Sequence, residues 1–287
     1  MAGERNVPDS KNMPENKNAA GNKNVPGSIT AEYPSVSGPV LKLPWEADDA
    51  FIKAREKYNA NVLMAAYHTV LPDPLPGEEY NVQLAARLLA GTVVYPGEVF
   101  SQNATIGPYD ESKGFREGPT YIGSVHTKTI GGGVCKIAST LYNVVVLSNL
   151  EVVERHAHSM PVPYVPYGQD ATVSYGQSDF RFRNNTRQPV LIWSEGIDNM
   201  LFIAFYGQNK PPAVEWIHVV IERQKAPTIY RKNLSLPYGT EKQVLEGMDG
   251  VAVKSWVTVT NPDKTAYKKY MGISSYKPMT HVIEINE

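Results

Sequence analysis

A single cysteine, Cys135, stands in a chain of 287 residues, and two histidines, His156 and His158, follow it in the next strand-like run. A thiol acts as nucleophile or metal ligand only as its thiolate, and helix N-termini and nearby cations favour that form. The run from Ile130 to Ser148 reads IGGGVCKIASTLYNVVVLS. Within it Ile137, Ala138, Leu141, Val144 and Val145 recur at helical spacing, which predicts an amphipathic helix stopped near Asn149. Cys135 then sits in the first turn, where unpaired N–H groups and the helix dipole favour negative charge. Gly131, Gly132 and Gly133 suit a tight entry into that turn. In LEVVERHAHS the i, i+2 spacing puts His156 and His158 on one face of an expected strand. Three chemistries fit these residues. Cys135 is a nucleophile with a histidine base; or Cys135 and both histidines are a zinc set with a fourth place for water; or Cys135 is core, as cysteine commonly is.

The elements that must position these groups are readable in order. Residues 1–40 carry a loose repeat of Lys-Asn and Val-Pro with few large apolar side chains, which predicts a disordered polar leader. Its charges balance, Arg5, Lys11, Lys17 and Lys23 against Glu4, Asp9, Glu15 and Glu32. A helix is expected from Glu46 to Tyr58, a strand from Val62 to Tyr67, a proline loop at Leu71 to Gly77, and a helix from Asn81 to Ala90 ending at Gly91. The stretch TVVYPGEVFSQNATIG predicts two strands about a Pro-Gly turn. It sets Ser101, Gln102 and Asn103 in place, either as turn chemistry or as lining of a site. Four β runs follow the central helix: YGQDATVSYG, DFRFRNNT, QPVLIWSEG and NMLFIAFYG. With LEVVERHAHS they make an antiparallel or mixed sheet packed on the Cys-bearing helix. The fold class is therefore α+β over residues 41–209. Residues 210–287, entered through Asn209-Lys-Pro-Pro, form a small all-β domain, mildly basic and bearing exposed-strand tyrosines.

Composition excludes several classes. The net charge of −1 gives no electrostatic basis for nucleic acid. One cysteine forms no internal disulfide and no all-cysteine zinc site. No apolar run long enough to span a membrane is present, and the first residues lack the basic start and apolar stretch of a signal peptide.

The ordered runs PGEVFSQNATIGPYDESKGF, GGGVCKIASTLYNVVV, LEVVERHAHSMPVPYVPYGQDATVSYG and DFRFRNNTRQPVLIW resemble the VanW family, named for an accessory protein of vancomycin-resistance gene clusters. The last seventy or so residues, with Tyr238-Gly239, Glu246-Gly247, Gly250 and Ser274-Ser275-Tyr276-Lys277-Pro278, are similar to a G-five domain. These resemblances imply a bacterial cell-envelope role with peptidoglycan or a cell-wall precursor as partner. They imply no cofactor. They place the protein outside the cytoplasm, whereas the missing signal peptide leaves a cytoplasmic location open. The family usually has Gln after the cysteine, and here Lys136 stands there. That cation either favours the thiolate further or marks a lost activity.

The order of Cys, His and Asp is similar to that of transglutaminase-like and papain-like cores. On that likeness Cys135 attacks an amide or ester carbonyl, His158 or His156 is the base, and Asp170 orients it, with Asp179 as the alternative orienter. Ser101, Asn103, Gly132, Gly133, Lys136, Arg155 and Arg183 are the expected substrate-binding residues. The alternative is a non-catalytic module that binds wall glycan or peptide, with arginine forks for carboxylates.

Overall fold

Buried strands must pair their backbone groups, and five strands of this chain do so in one antiparallel sheet, in the order Gly38–Pro39, Val62–Val70, Met200–Gly207, Val190–Ile197 and Val93–Val94. The computed structural model describes residues 36–71, 77–122 and 125–287. The expected leader up to residue 35 and the prolines of 72–76 lie outside the described residues. In chain order come β1 (Gly38–Pro39), α1 (Asp49–Tyr58), β2 (Val62–Val70), α2 (Glu78–Leu89), β3 (Val93–Val94) and β4 (Val99–Ser101). A one-turn α3 (Gln102–Thr105), a hairpin of β5 (Glu117–Ile122) and β6 (Val125–Ile130), and α4 (Cys135–Leu147) follow. Then come β7 (Glu151–Glu154), β8 (Arg181–Arg183), β9 (Val190–Ile197) and β10 (Met200–Gly207). Six more strands close the chain: β11 (Ala213–Gln224), β12 (Thr228–Lys232), β13 (Thr240–Leu245), β14 (Gly250–Thr260), β15 (Ala266–Tyr276) and β16 (His281–Asn286). The chain is α+β and rich in strand.

α4 packs on β2 and β10. The helical spacing of its apolar residues explains the burial: Ile137, Ala138, Leu141, Val144 and Val145 are all fully buried. Polar side chains on the same helix are buried with them, Ser139, Thr140 and Asn143 fully and Lys136 nearly so. The helix ends as expected. Asn149 adopts the left-handed conformation, with φ of 53°, and the amides of Asn149 and Leu150 return to Val146 and Val145.

Three expectations are corrected. The helix expected at 81–90 begins earlier, at Glu78. The LEVVERHAHS run is a strand only through Glu154, and β7 pairs with β8 in a separate sheet of order β4-β8-β7. YGQDATVSYG is no strand. It makes only isolated bridges, His156 with Thr172 and Ser174 with Ser178, because its backbone is held by side chains of α4. Ser139 Oγ donates to Ala171 O at 3.0 Å and accepts from Ala171 N at 2.9 Å. Asn143 Nδ2 donates to Gln169 O at 2.8 Å.

The final six strands form two three-stranded sheets, β11-β14-β15 and β12-β16-β13, the second with β12 parallel to β16. The hydrophobic core runs on into them. Val257 and Val259 are buried in the same cluster as α4, and Trp216 meets the Tyr142 ring edge-on at 5.6 Å.

Candidate functional site

The glycine run before α4 lets two backbones meet. A Cβ on Gly132 would lie 2.3 Å from Gly118 O, and Gly131 and Gly133 have φ of 78° and 103°, which side chains rarely adopt. The start of α4 is thereby pressed against β5, and Cys135 faces a cleft of about 990 Å³. The cleft is lined by Glu78, Tyr109, Cys135, Lys136, His158 and Tyr164, among others.

Cys135 Sγ lies 3.3 Å from Thr172 Oγ1 and 3.6 Å from the Val173 carbonyl oxygen. His158 stands beside it. The ring's Nδ1 is 2.7 Å from Asp170 Oδ2, which also accepts the His158 backbone N–H at 2.7 Å. With Nδ1 committed to a carboxylate, Nε2 is left for the sulfur side, where the Tyr164 hydroxyl is 3.4 Å away. Arg155 completes the arrangement from behind, donating Nε to Asp170 O at 2.7 Å and Nη2 to Oδ1 at 2.8 Å.

The electrostatics favour an ion pair. Burial raises the Cys135 thiol, but the hydrogen bond and positive charge of His158, with the Thr172 hydroxyl, bring it below its ordinary value. Burial lowers the His158 imidazole, yet its hydrogen bonds to Asp170 and Cys135 outweigh that and raise it to about 9. Burial also works against the charged Asp170, and His158 and Arg155 hold it below the usual carboxylate range all the same. Thiolate, imidazolium, carboxylate and guanidinium thus alternate in sign along one line.

The structure brings Cys135, His158 and Asp170 together, with Gly132, Gly133 and Lys136 on the cleft wall. His156 is elsewhere. Its half-exposed ring bonds Glu154 Oε1 at 3.0 Å, because the chain leaves β7 after Glu154 and the two rings no longer share a strand face. Among the described residues no three His, Cys, Asp and Glu side chains converge as a metal set. Asp179 serves α3 instead, accepting the Ser101 hydroxyl and the Asn103 amide. Asn103 in turn accepts the Tyr109 hydroxyl at 2.8 Å, so it stands behind the cleft wall. Arg155 is spent on Asp170, and Arg183 pairs with Glu151 on the β7-β8 sheet, away from the cleft. Lys136 is paired with Glu78 and covered by the Tyr164 ring. Burial pushes its ammonium down to about 7.

Sequence reasoning missed Thr172, Tyr164 and Glu78 in the cleft. Thr172 follows Asp170 by two positions and would have emerged once that segment was placed beside Cys135. Glu78 is 58 positions from Lys136, and no local pattern links them.

Comparison with known proteins bears on this region. The family model described as VanW like protein matches residues 77–206. Residues 77–206 are thus similar to that family. All of Cys135, His158 and Asp170 fall within this stretch. Two curated relatives agree. Uncharacterized protein YoaR of Bacillus subtilis (strain 168) is 36% identical over 51% of this chain and 48% of its own length. Vancomycin B-type resistance protein VanW of Enterococcus faecalis (strain ATCC 700802 / V583) is 29% identical over 47% of this chain and 51% of its own length. The chain thus spans about half the length of the curated relatives it matches. Two solved structures are also similar. HP0197-G5 is 18% identical over 26% of this chain and 96% of that one, with a TM-score of 0.16. The IgA1 protease G5 domain is 19% identical over 28% of this chain and 94% of that one, with a TM-score of 0.18. Among the described residues no helix is long and apolar enough to cross a membrane.

Proposed function

We propose that the VanW-like region is a cysteine acyltransferase or peptidase acting on cell-wall peptide. One observation carries the reading: the His158 ring, oriented through Nδ1 by a buried carboxylate, stands beside a partly exposed thiol at the mouth of a cleft. That constellation is recognised by geometry and role, as the transglutaminase-like and papain-like order of Cys, His and Asp is. The choice of wall peptide rests on the kinship with VanW and on nothing in the cleft alone.

In this scheme the Cys135 thiolate attacks the carbonyl carbon of an amide, forming a C–S bond. The tetrahedral intermediate collapses as the C–N bond breaks, and the leaving amine takes the proton of the His158 imidazolium. A thioester remains. Water or an acceptor amine then attacks it, with neutral His158 taking the proton, and the thiolate departs. The positive end of the α4 dipole lies where oxygen charge develops.

The test is incubation of purified protein with muropeptides and wall fragments, read by mass spectrometry for cleaved or exchanged peptide and for an acyl adduct on Cys135. Wild type forms products and Cys135→Ala forms none. Unchanged substrates, together with a thiol that alkylates only after denaturation, would sink the reading.

A further inference from the structure

The catalytic reading above uses residues before 210, yet the segment bearing His158 and Asp170 is held from the other side by the C-terminal strands. Tyr276, the last residue of β15, donates its hydroxyl to Asp170 Oδ1 and accepts the Gly168 amide at 2.8 Å. Its neighbour Ser274 accepts from Arg155 Nη1 at 2.9 Å, and Lys277 N donates to Ser159 O at 2.7 Å. From β11, His218 links Gln169 Nε2 at 2.9 Å to Ser255 Oγ of β14, also at 2.9 Å. The contact is tight as well as polar, since a Cβ on Gly168 would lie 2.5 Å from Ser255 Oγ.

We propose that Tyr276 is a positioning residue of the cysteine site: its hydroxyl fixes Asp170 Oδ1 so that Oδ2 meets His158, and the C-terminal strands thereby complete the site. The Asp170 carboxylate has four donors. Two of them, His158 N and Nδ1, take Oδ2; the other two, Arg155 Nη2 and the Tyr276 hydroxyl, take Oδ1. A carboxylate gripped at both oxygens cannot rotate about its Cβ–Cγ bond, and the imidazole it orients keeps its direction toward sulfur. Burial raises the Tyr276 hydroxyl well above its ordinary value, so it remains a donor wherever the site operates. The ionisable groups that act on this carboxylate include His158, Arg155, Tyr276 and Tyr142; those that act on the thiol include His158 and Tyr109.

This inference rests on the thiolate–imidazolium reading, and one measurement separates the two. The chain has a single cysteine, so the pH dependence of its alkylation by iodoacetamide reports the Cys135 thiol directly. In wild type the thiolate persists well below the ordinary range; an ordinary wild-type profile would defeat the catalytic reading itself. In Tyr276→Phe the thiol shifts upward by about one unit, so alkylation near pH ~6 slows about tenfold while that near pH ~10 stays within about twofold. Tyr267→Phe, an exposed tyrosine on the same strand, keeps the wild-type profile. A low wild-type value left unchanged, or lowered further, by Tyr276→Phe would overturn the positioning role alone. Folding is checked by circular dichroism. Should Tyr276→Phe fail to fold, Ser274→Ala weakens the same grip through Arg155 and is expected to shift the profile in the same direction; no shift there would overturn the role.

Discussion

At the level of single residues, the alternation of charge from Cys135 to Arg155 ties chemistry to stability. Asp170 is almost wholly buried, with side-chain exposure of 2%, against 12% for Arg155 and 16% for His158. Removing one partner of such a buried pair leaves an uncompensated charge. Asp170→Asn is therefore expected to cost about 3 kcal/mol or more in urea unfolding, besides raising the Cys135 thiol toward its ordinary value. The pH dependence has a definite sign. His158 is raised in the folded chain to about 9 from 6.5, so its contribution is complete below its unfolded value and is lost as pH rises through about 9. Asp170 is held low, so its contribution is present above its unfolded value and is lost as pH falls through the folded one. Cys135 is held low, so its contribution runs the other way and grows as pH rises to the ordinary thiol value, offsetting the His158 loss in wild type. Melts of Cys135→Ala should therefore weaken as pH rises above 6.5 toward 9, and the further substitution His158→Gln should remove that decline. Activity should fall over the same alkaline range, because the leaving amine needs the imidazolium. A Cys135→Ala melt that holds level through that range would show that the imidazolium adds nothing to the fold.

Among the elements, α4 does two jobs: its apolar side fills the core and its polar side holds the segment that carries Asp170 and Thr172. The apolar side was legible, since period alone selects Ile137, Ala138, Leu141, Val144 and Val145, and all are buried. So were β9 and β10, whose β-branched and aromatic runs have few other uses. The polar side was not legible. Residues 169–175 have strand composition, but the Gln169 carbonyl and the Ala171 amide and carbonyl meet Asn143 and Ser139 rather than a neighbouring strand, and composition does not record the partner. For the same reason His156 and His158 read as a strand pair, although β7 stops before either. Ser139→Ala tests this division of labour. It removes both partners of the Ala171 amide and carbonyl, each of which costs about 1–3 kcal/mol when left buried and unpaired. The far-ultraviolet spectrum should remain near wild type while the Cys135 alkylation profile moves toward that of an ordinary thiol. A variant with wild-type stability and profile would show that the 169–172 segment needs no support from α4.

Taken whole, residues 36–287 contain two textures of structure, a helix-bearing region and a run of long strands, yet few physical features mark a seam between them. Residues 36–287 hold together as one compact unit. Trp216 from β11 and Val257 and Val259 from β14 belong to the cluster that surrounds α4, and hydrogen bonds from Ser274, Tyr276 and Lys277 cross to residues 155–170. A change of composition at Asn209-Lys-Pro-Pro says where one rhythm stops; it does not say whether the next begins a separate core. Shared apolar burial makes the two regions lend stability to each other, since exposing one side of a joint core also exposes the other. The expected consequence is common unfolding. Native-state amide exchange should give Leu201–Phe205 of β10 and Val253–Val259 of β14 the same opening free energy at rising urea, within about 1 kcal/mol, as for one cooperative unit. If β14 opens at clearly lower free energy while β10 stays protected, the strands after 213 fold on their own. Their grip on Asp170 would then be a docking equilibrium, and the reactivity of Cys135 would follow the docked fraction.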